Sequence, residues 1–162
     1  MTMVSRKDLD AMETLQDMPT YTAGIAQATA YRLLKKFTEE CISEHDLTMM
    51  HWYIIGTLYE SDPEVGPSVS DLATMLDTGL PYITNTINSL EARGIVERRC
   101  CKDDSRVKRL YLNQTYIPIV QEIEAEMRKR MRATLYKDIS PSELLTYVKV
   151  LHKMNALLDD SN

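Results

Sequence analysis

Residues 68–112 constrain what this chain can become more than any other stretch. Val69, Leu72, Ala73 and Leu76 recur at helical spacing, and so do Ile83, Ile87 and Leu90. Asp77-Thr78-Gly79 breaks the chain between these two short helices, and Gly94 ends the second. Two strand-compatible runs, 95–101 and 107–112, then flank a polar turn that carries Lys102, Asp103, Asp104, Ser105 and Arg106. Helix, turn, helix and basic hairpin is the order of a winged helix-turn-helix, an arrangement that sets one helix into a DNA major groove.

Charge first argues against that reading and then supports it. The 162 residues carry a net charge of −5. Between Arg93 and Arg109, however, Arg93, Arg98, Arg99, Lys102, Arg106, Lys108 and Arg109 outnumber Glu97, Asp103 and Asp104, so this segment is +4 and the remainder −9. A basic stripe on an acidic body still attracts phosphate, while the body discourages indiscriminate binding. The length allows one domain with a proper core. No run of eighteen apolar residues exists, so no membrane span is expected, and the N-terminus lacks the apolar core of an export signal. Three cysteines without zinc-ribbon spacing fit a reducing cytoplasm.

Outside residues 68–112 the pattern is helical. Ser5 to Asp8 reads as a helix start, with Leu9, Met12 and Leu15 behind it and Pro19 at its end, making residues 1–19 an N-terminal arm. A long helix is expected over 22–44 with Leu34, Phe37 and Cys41 on one face. Thr48 caps a third, apolar-rich helix running to Glu60. After the hairpin, Val120, Ile123, Met127, Met131 and Leu135 form one narrow apolar stripe. Ser140-Pro141-Ser142-Glu143 starts a final helix with a second stripe of Leu144, Val148, Leu151, Met154 and Leu158. Packing within one chain explains part of these stripes, and interleaving with a second subunit in a symmetric homodimer explains the rest.

Asp46-Leu47-Thr48, Val69-Ser70-Asp71-Leu72-Ala73, residues 90–98 (Leu90 through Gly94 to Arg98), Asp104-Ser105-Arg106 and Leu110-Tyr111-Leu112 together resemble the MarR family of transcriptional regulators, from about Gly24 onward. The stretch departs from the family pattern at Ser105, at residues 113–116 and in a slightly long 60–67 loop. The resemblance implies a mainly α fold with a small β-wing. It also implies a winged helix-turn-helix over 47–113, dimerisation helices over 20–46 and 114–162, and a cytoplasmic homodimer presenting two reading helices to a palindromic operator, in the first instance as a repressor. It implies that Arg106 enters the minor groove, with Asp104 holding it, although an ordinary turn ion pair would look the same.

With Ile83, Ile87 and Leu90 inward, Pro81, Asn85, Asn88 and Ala92 point outward, with Tyr82 and Ser89 on one flank and Thr84 on the other. Such amides and hydroxyls suit base and phosphate contacts, and asparagine pairs best with adenine. Arg98, Arg99, Lys102, Lys108 and Arg109 are read as phosphate contacts or solvated charge. Tyr21, Tyr31, Arg32, His51, Trp52 and Tyr53 are candidates to line a pocket for a small aromatic or phenolic effector of the kind MarR-like regulators bind, or else simply an aromatic-rich core. Cys100 and Cys101 alternate in a strand, so they cannot readily share a metal, though Arg99 and Lys102 nearby could activate one as a redox thiol. No cofactor site, nucleophile elbow, phosphate loop or metal-ligand set is recognisable, which argues against an enzyme. Two rivals stay open: a thiol-based redox sensor on the same fold, and a winged-helix interaction module that has lost DNA binding.

Overall fold

The helix starts are written in side-chain caps. Thr48 accepts the His51 N–H through its hydroxyl, and the His51 ring accepts the Thr48 N–H in return, at 3.2 and 3.1 Å. Ser68 and Asp71 repeat this reciprocal box at the start of the next helix, and Ser140 with Glu143 does so a third time. The computed structural model describes residues 18–100 and 108–159, with side chains to 156. Six α-helices and one hairpin lie among them: α1 (Thr20–Ile42), α2 (Met49–Glu60), α3 (Val69–Met75), α4 (Leu80–Ala92), β1 (Val96–Cys100), β2 (Lys108–Leu112), α5 (Ile117–Ala133) and α6 (Pro141–Asp159). The expected arm helix at 5–15, the hairpin tip with Lys102, Asp104 and Arg106, Cys101, and the Leu158 side chain lie outside the described residues.

The chain divides into two compact units, with the division falling inside α5 after Val120. In the first, α1 begins at Thr20 rather than 22, and it stops at Ile42 rather than 44. There the backbone tightens into a 3-10 turn (Ser43–His45), and Asp46 turns left-handed at φ 53°. α2 runs through the centre: Ile54 and Ile55 are fully buried and Leu58 nearly so. α3 and α4 pack on each other, and α4 packs on both α2 and β1. Asp77, not Gly79, takes the left-handed conformation between α3 and α4 (φ 44°), and Gly94 does so after α4 (φ 69°). β1 and β2 pair antiparallel, Val96 opposite Leu112 and Cys100 opposite Lys108. Strand alternation then puts Val96, Arg98, Leu110 and Leu112 on one face, and Glu97, Arg99, Arg109 and Tyr111 on the other.

The loop before α3 does more than connect. The Leu110 N–H donates to the Pro67 carbonyl at 2.9 Å, so the loop lies against β2. Gly66 makes this approach possible, because a Cβ there would sit 2.2 Å from the Leu110 carbonyl oxygen. After the wing, Asn113 accepts both the N–H and the hydroxyl of Thr115, capping a 3-10 turn (Gln114–Tyr116) that leads into α5. In the second unit, the Ser140 cap opens α6. Leu144 and Leu151 are half-buried, as the stripe predicts, but Val148 and Met154 are exposed. Leu145, Tyr147 and Val150 are exposed too, so the apolar surface of α6 is wider than a narrow stripe.

Candidate nucleic-acid interface

α4 is amphipathic in the manner its spacing predicts. Ile83, Ile87 and Leu90 are fully buried, which stabilises the unit by roughly 1.5–3 kcal/mol each. Thr86 is buried with them, its hydroxyl satisfied by the Tyr82 carbonyl at 2.8 Å. The opposite surface presents Pro81, Tyr82, Asn85, Asn88, Ser89 and Ala92, all exposed. Thr84 is half-buried and donates its hydroxyl to the Leu80 carbonyl at 2.8 Å, which leaves that oxygen only as an acceptor for an outside partner.

The basic segment is used differently from what charge counting suggests. Arg93 reaches back to the turn before α2, donating to the carbonyls of Asp46 and His45 at 2.7 and 2.9 Å. Arg98 pairs with Glu91 and donates to the Asn88 Oδ1 at 2.8 Å, tying β1 to α4. Arg99 lies over the Tyr111 ring, 4.4 Å from its centroid, and pairs with Glu97. Arg109 donates to Asp71 Oδ2 at 3.0 Å, the oxygen that also accepts the Ser68 N–H in the α3 cap. The Asp71 carboxyl is therefore held below its ordinary pKa, first by the Ser68 backbone and hydroxyl and then by Arg109. Lys108 is exposed at the far end of β2. Arg93, Arg98 and Arg109 thus fasten the wing and the end of α4 to the rest of the unit, while Arg99 ties the two strands of the wing together.

The candidate effector residues occupy several environments. Tyr31 is exposed on α1, and Arg32 donates to Thr29 on its own helix at 3.1 Å. Arg32 also lines a shallow groove with Lys35, Lys36, Glu39, Glu40 and Ser43. Tyr21 is exposed, while Trp52 and Tyr53 are half-buried on α2. The His51 ring is committed to the α2 cap, and burial followed by the Arg93 charge lowers its pKa. A smaller cavity of about 130 Å³ lies elsewhere, between the end of α2, the following loop and the wing, where Tyr59, Arg99 and Tyr111 are among its lining. Cys100 is an exposed free thiol on the Arg98 face of the sheet, while Arg99 belongs to the other face and is held there by Tyr111 and Glu97. Among the described residues no cluster of His, Cys, Asp or Glu is placed to hold a metal, and no helix is long and apolar enough to cross a membrane.

Sequence reasoning missed the inward use of these arginines. Glu91 and Arg98 are seven residues apart across the Gly94 turn, a spacing that carries no helical or strand signal. The partners of Arg93 and Arg109 are 47 and 38 residues away.

The MarR family model matches residues 45–107, the span from the turn before α2 into the wing. AbsC of Streptomyces coelicolor, a MarR family transcriptional regulator, has the same fold with a TM-score of 0.73 at 22% identity, over 88% of this chain and 97% of that one. MarR of E. coli in its apo form gives 0.68 at 18% identity, over 85% and 97%. MepR of S. aureus, solved in complex with DNA, gives 0.66 at 22% identity, over 86% and 98%. The winged segment of this chain thus matches the MarR family model, and its fold is the one these MarR-type structures share along nearly their full length.

Proposed function

We propose that this chain is a sequence-specific double-stranded DNA-binding transcriptional regulator that acts as a homodimer on a palindromic operator. The observation that carries this reading is the exposed face of α4, where Tyr82, Asn85, Asn88 and Ser89 stand opposite a fully buried Ile83, Ile87 and Leu90. A helix held so firmly by its apolar face and decorated with amides and a phenol on the other is suited to lie in a major groove. The fold shared with MepR, which has been solved on DNA, supports the same assignment. In this reading Asn85 reads a base edge, Lys108 meets phosphate, and Arg106, held by Asp104, enters the minor groove.

Two α4 helices are needed for two half-sites about 34–36 Å apart. The exposed apolar side chains of α1 (Tyr21, Ile25, Tyr31, Leu33) and of α6 (Leu145, Tyr147, Val148, Val150) support a second copy of the chain as the cover. Binding of a small aromatic or phenolic acid near Tyr31, Arg32, Trp52 and Tyr53 would release the operator, making the regulator a repressor. Trp52 fluorescence against a panel of such acids tests this part, and no response removes it. Selection of bound duplexes from a random pool, followed by titration at several salt concentrations, tests the whole. A palindromic consensus with a steep salt dependence supports the proposal. No selected sequence, with the protein instead captured by a protein partner, favours a winged-helix interaction module. Loss of binding on mild oxidation that Cys100→Ser prevents would favour a thiol sensor.

A further inference from the structure

We infer that Arg98 is a specificity-determining positioning residue: by taking one lone pair of the Asn88 carbonyl oxygen and fixing the amide plane, it biases Asn88 towards presenting its amide donors to DNA, so that Asn88 favours guanine or thymine over adenine. This rests on the DNA-binding reading of α4 and adds to it the base class read at one position. The case is one of hydrogen-bond inventory. A guanidinium has five donors and no acceptor, so the partner of the Arg98 Nη2 at 2.8 Å can only be the oxygen of the Asn88 amide. The amide's orientation follows from the chemistry of its neighbour. Glu91, one helical turn further along α4, accepts the other guanidinium nitrogen and keeps the fork in place. The Arg98 side chain is only 20% exposed, which strengthens both bonds relative to those of a solvated pair.

The consequence concerns the major-groove code. An asparagine recognises adenine by accepting from N6 with its oxygen while donating to N7 with its nitrogen. At Asn88 one of the oxygen's two lone pairs already accepts from a cation, which fixes the amide plane and makes the oxygen a weaker acceptor for a second donor such as adenine N6, while both Nδ2–H donors stay unused by Arg98. Donor groups match the O6 and N7 of guanine or the O4 of thymine. Asn85, one turn earlier and exposed on the same face, makes no hydrogen bond with a described residue, so both edges of its amide stay open to adenine. Two asparagines of identical chemistry are thereby given different preferences by one arginine from the wing. The Arg98 charge is largely cancelled by Glu91, which makes it a poor counterion for phosphate.

The test uses the full chain and compares wild type, Asn88→Ala, Arg98→Ala and Arg98→Lys in base-preference profiling on the selected operator and its single-base variants. Asn88→Ala should flatten one position in each half-site, where wild type prefers guanine or thymine. Arg98→Ala should move that position towards adenine by roughly tenfold, leave the others in place and keep the wild-type salt slope. Arg98→Lys keeps the charge but lacks the fork, so it should shift the same position. In the free protein, Arg98→Ala should also displace the side-chain amide resonances of Asn88, a readout independent of DNA. Equal weakening of all duplexes by Arg98→Ala with a flatter salt slope overturns the inference, as does a wild-type preference for adenine at the Asn88 position. If the wild type shows no sequence-preferring duplex binding while the resonances shift, the positioning stands and the DNA reading fails. Unmoved resonances overturn the positioning itself.

Discussion

Adding one methyl group at two glycines should have opposite effects on stability. At Gly66 an alanine Cβ would lie 2.2 Å from the Leu110 carbonyl oxygen and 3.0 and 3.1 Å from two carbons of the Tyr111 ring. The nearest of these is backbone of a paired strand, so it cannot rotate aside, and the loop must lift by about 1 Å to reach normal contact. Lifting it stretches the 2.9 Å bond from the Leu110 N–H to Pro67, at a residue that is fully buried. Overpacking costs about 1–3 kcal/mol and an orphaned buried N–H about 1–3 more, which together give roughly 2–6 kcal/mol of destabilisation. At Gly56, inside α2, nothing lies within 4 Å of the added Cβ. There alanine gains helix propensity, and about 0.5–1 kcal/mol of stabilisation is expected. Urea unfolding followed by far-ultraviolet circular dichroism, with both variants compared at equal slope, measures the two changes. If Gly66→Ala falls within about 0.5 kcal/mol of the wild type, the loop yields freely and its close approach to β2 contributes little to stability.

Three further outcomes are expected. His51 accepts the Thr48 N–H only when its ring is neutral, and burial and Arg93 lower its pKa from the ordinary 6.5. The unfolded chain therefore takes up the proton first as pH falls, so this contribution to stability is complete above pH 6.5 and is lost below it, down through the folded-state pKa. The substitution His51→Gln keeps a capping box without a titrating ring, so thermal melts from about pH 8 to about pH 5 should show a weaker pH dependence than wild type; an identical dependence would exclude His51 as its source. Leu145→Lys with Val148→Glu places charge on exposed α6 positions, so sedimentation should show a folded monomer that no longer binds operator; an intact dimer would move the interface elsewhere. Asn85→Ala should cost roughly 1–3 kcal/mol at one A·T pair with an unchanged salt slope, whereas Lys108→Ala should flatten the slope by about one unit on every sequence; equal losses on all duplexes for Asn85→Ala would make α4 a phosphate anchor.

What the sequence determined by itself was local. The caps at Thr48 and Ser140, the buried face of α4 and the stop at Gly94 all depend on residues within one or two turns of each other, and periodicity and side-chain chemistry reveal them directly. The exposed positions of Asn85 and Asn88 followed from the same 100° step per residue. Tertiary structure alone decided what the arginines do. Seven basic residues close together in sequence look like a phosphate-binding stripe, yet four of them, Arg93, Arg98, Arg99 and Arg109, have the carbonyls of His45 and Asp46, the carboxylates of Glu91 and Asp71 and the ring of Tyr111 brought beside them. Gly66 likewise reads as one more loop residue until Leu110 arrives across 44 positions of chain. A charge in sequence has a sign but no neighbours, and whether it meets solvent, phosphate or a carboxylate of its own chain depends on contacts that only folding creates.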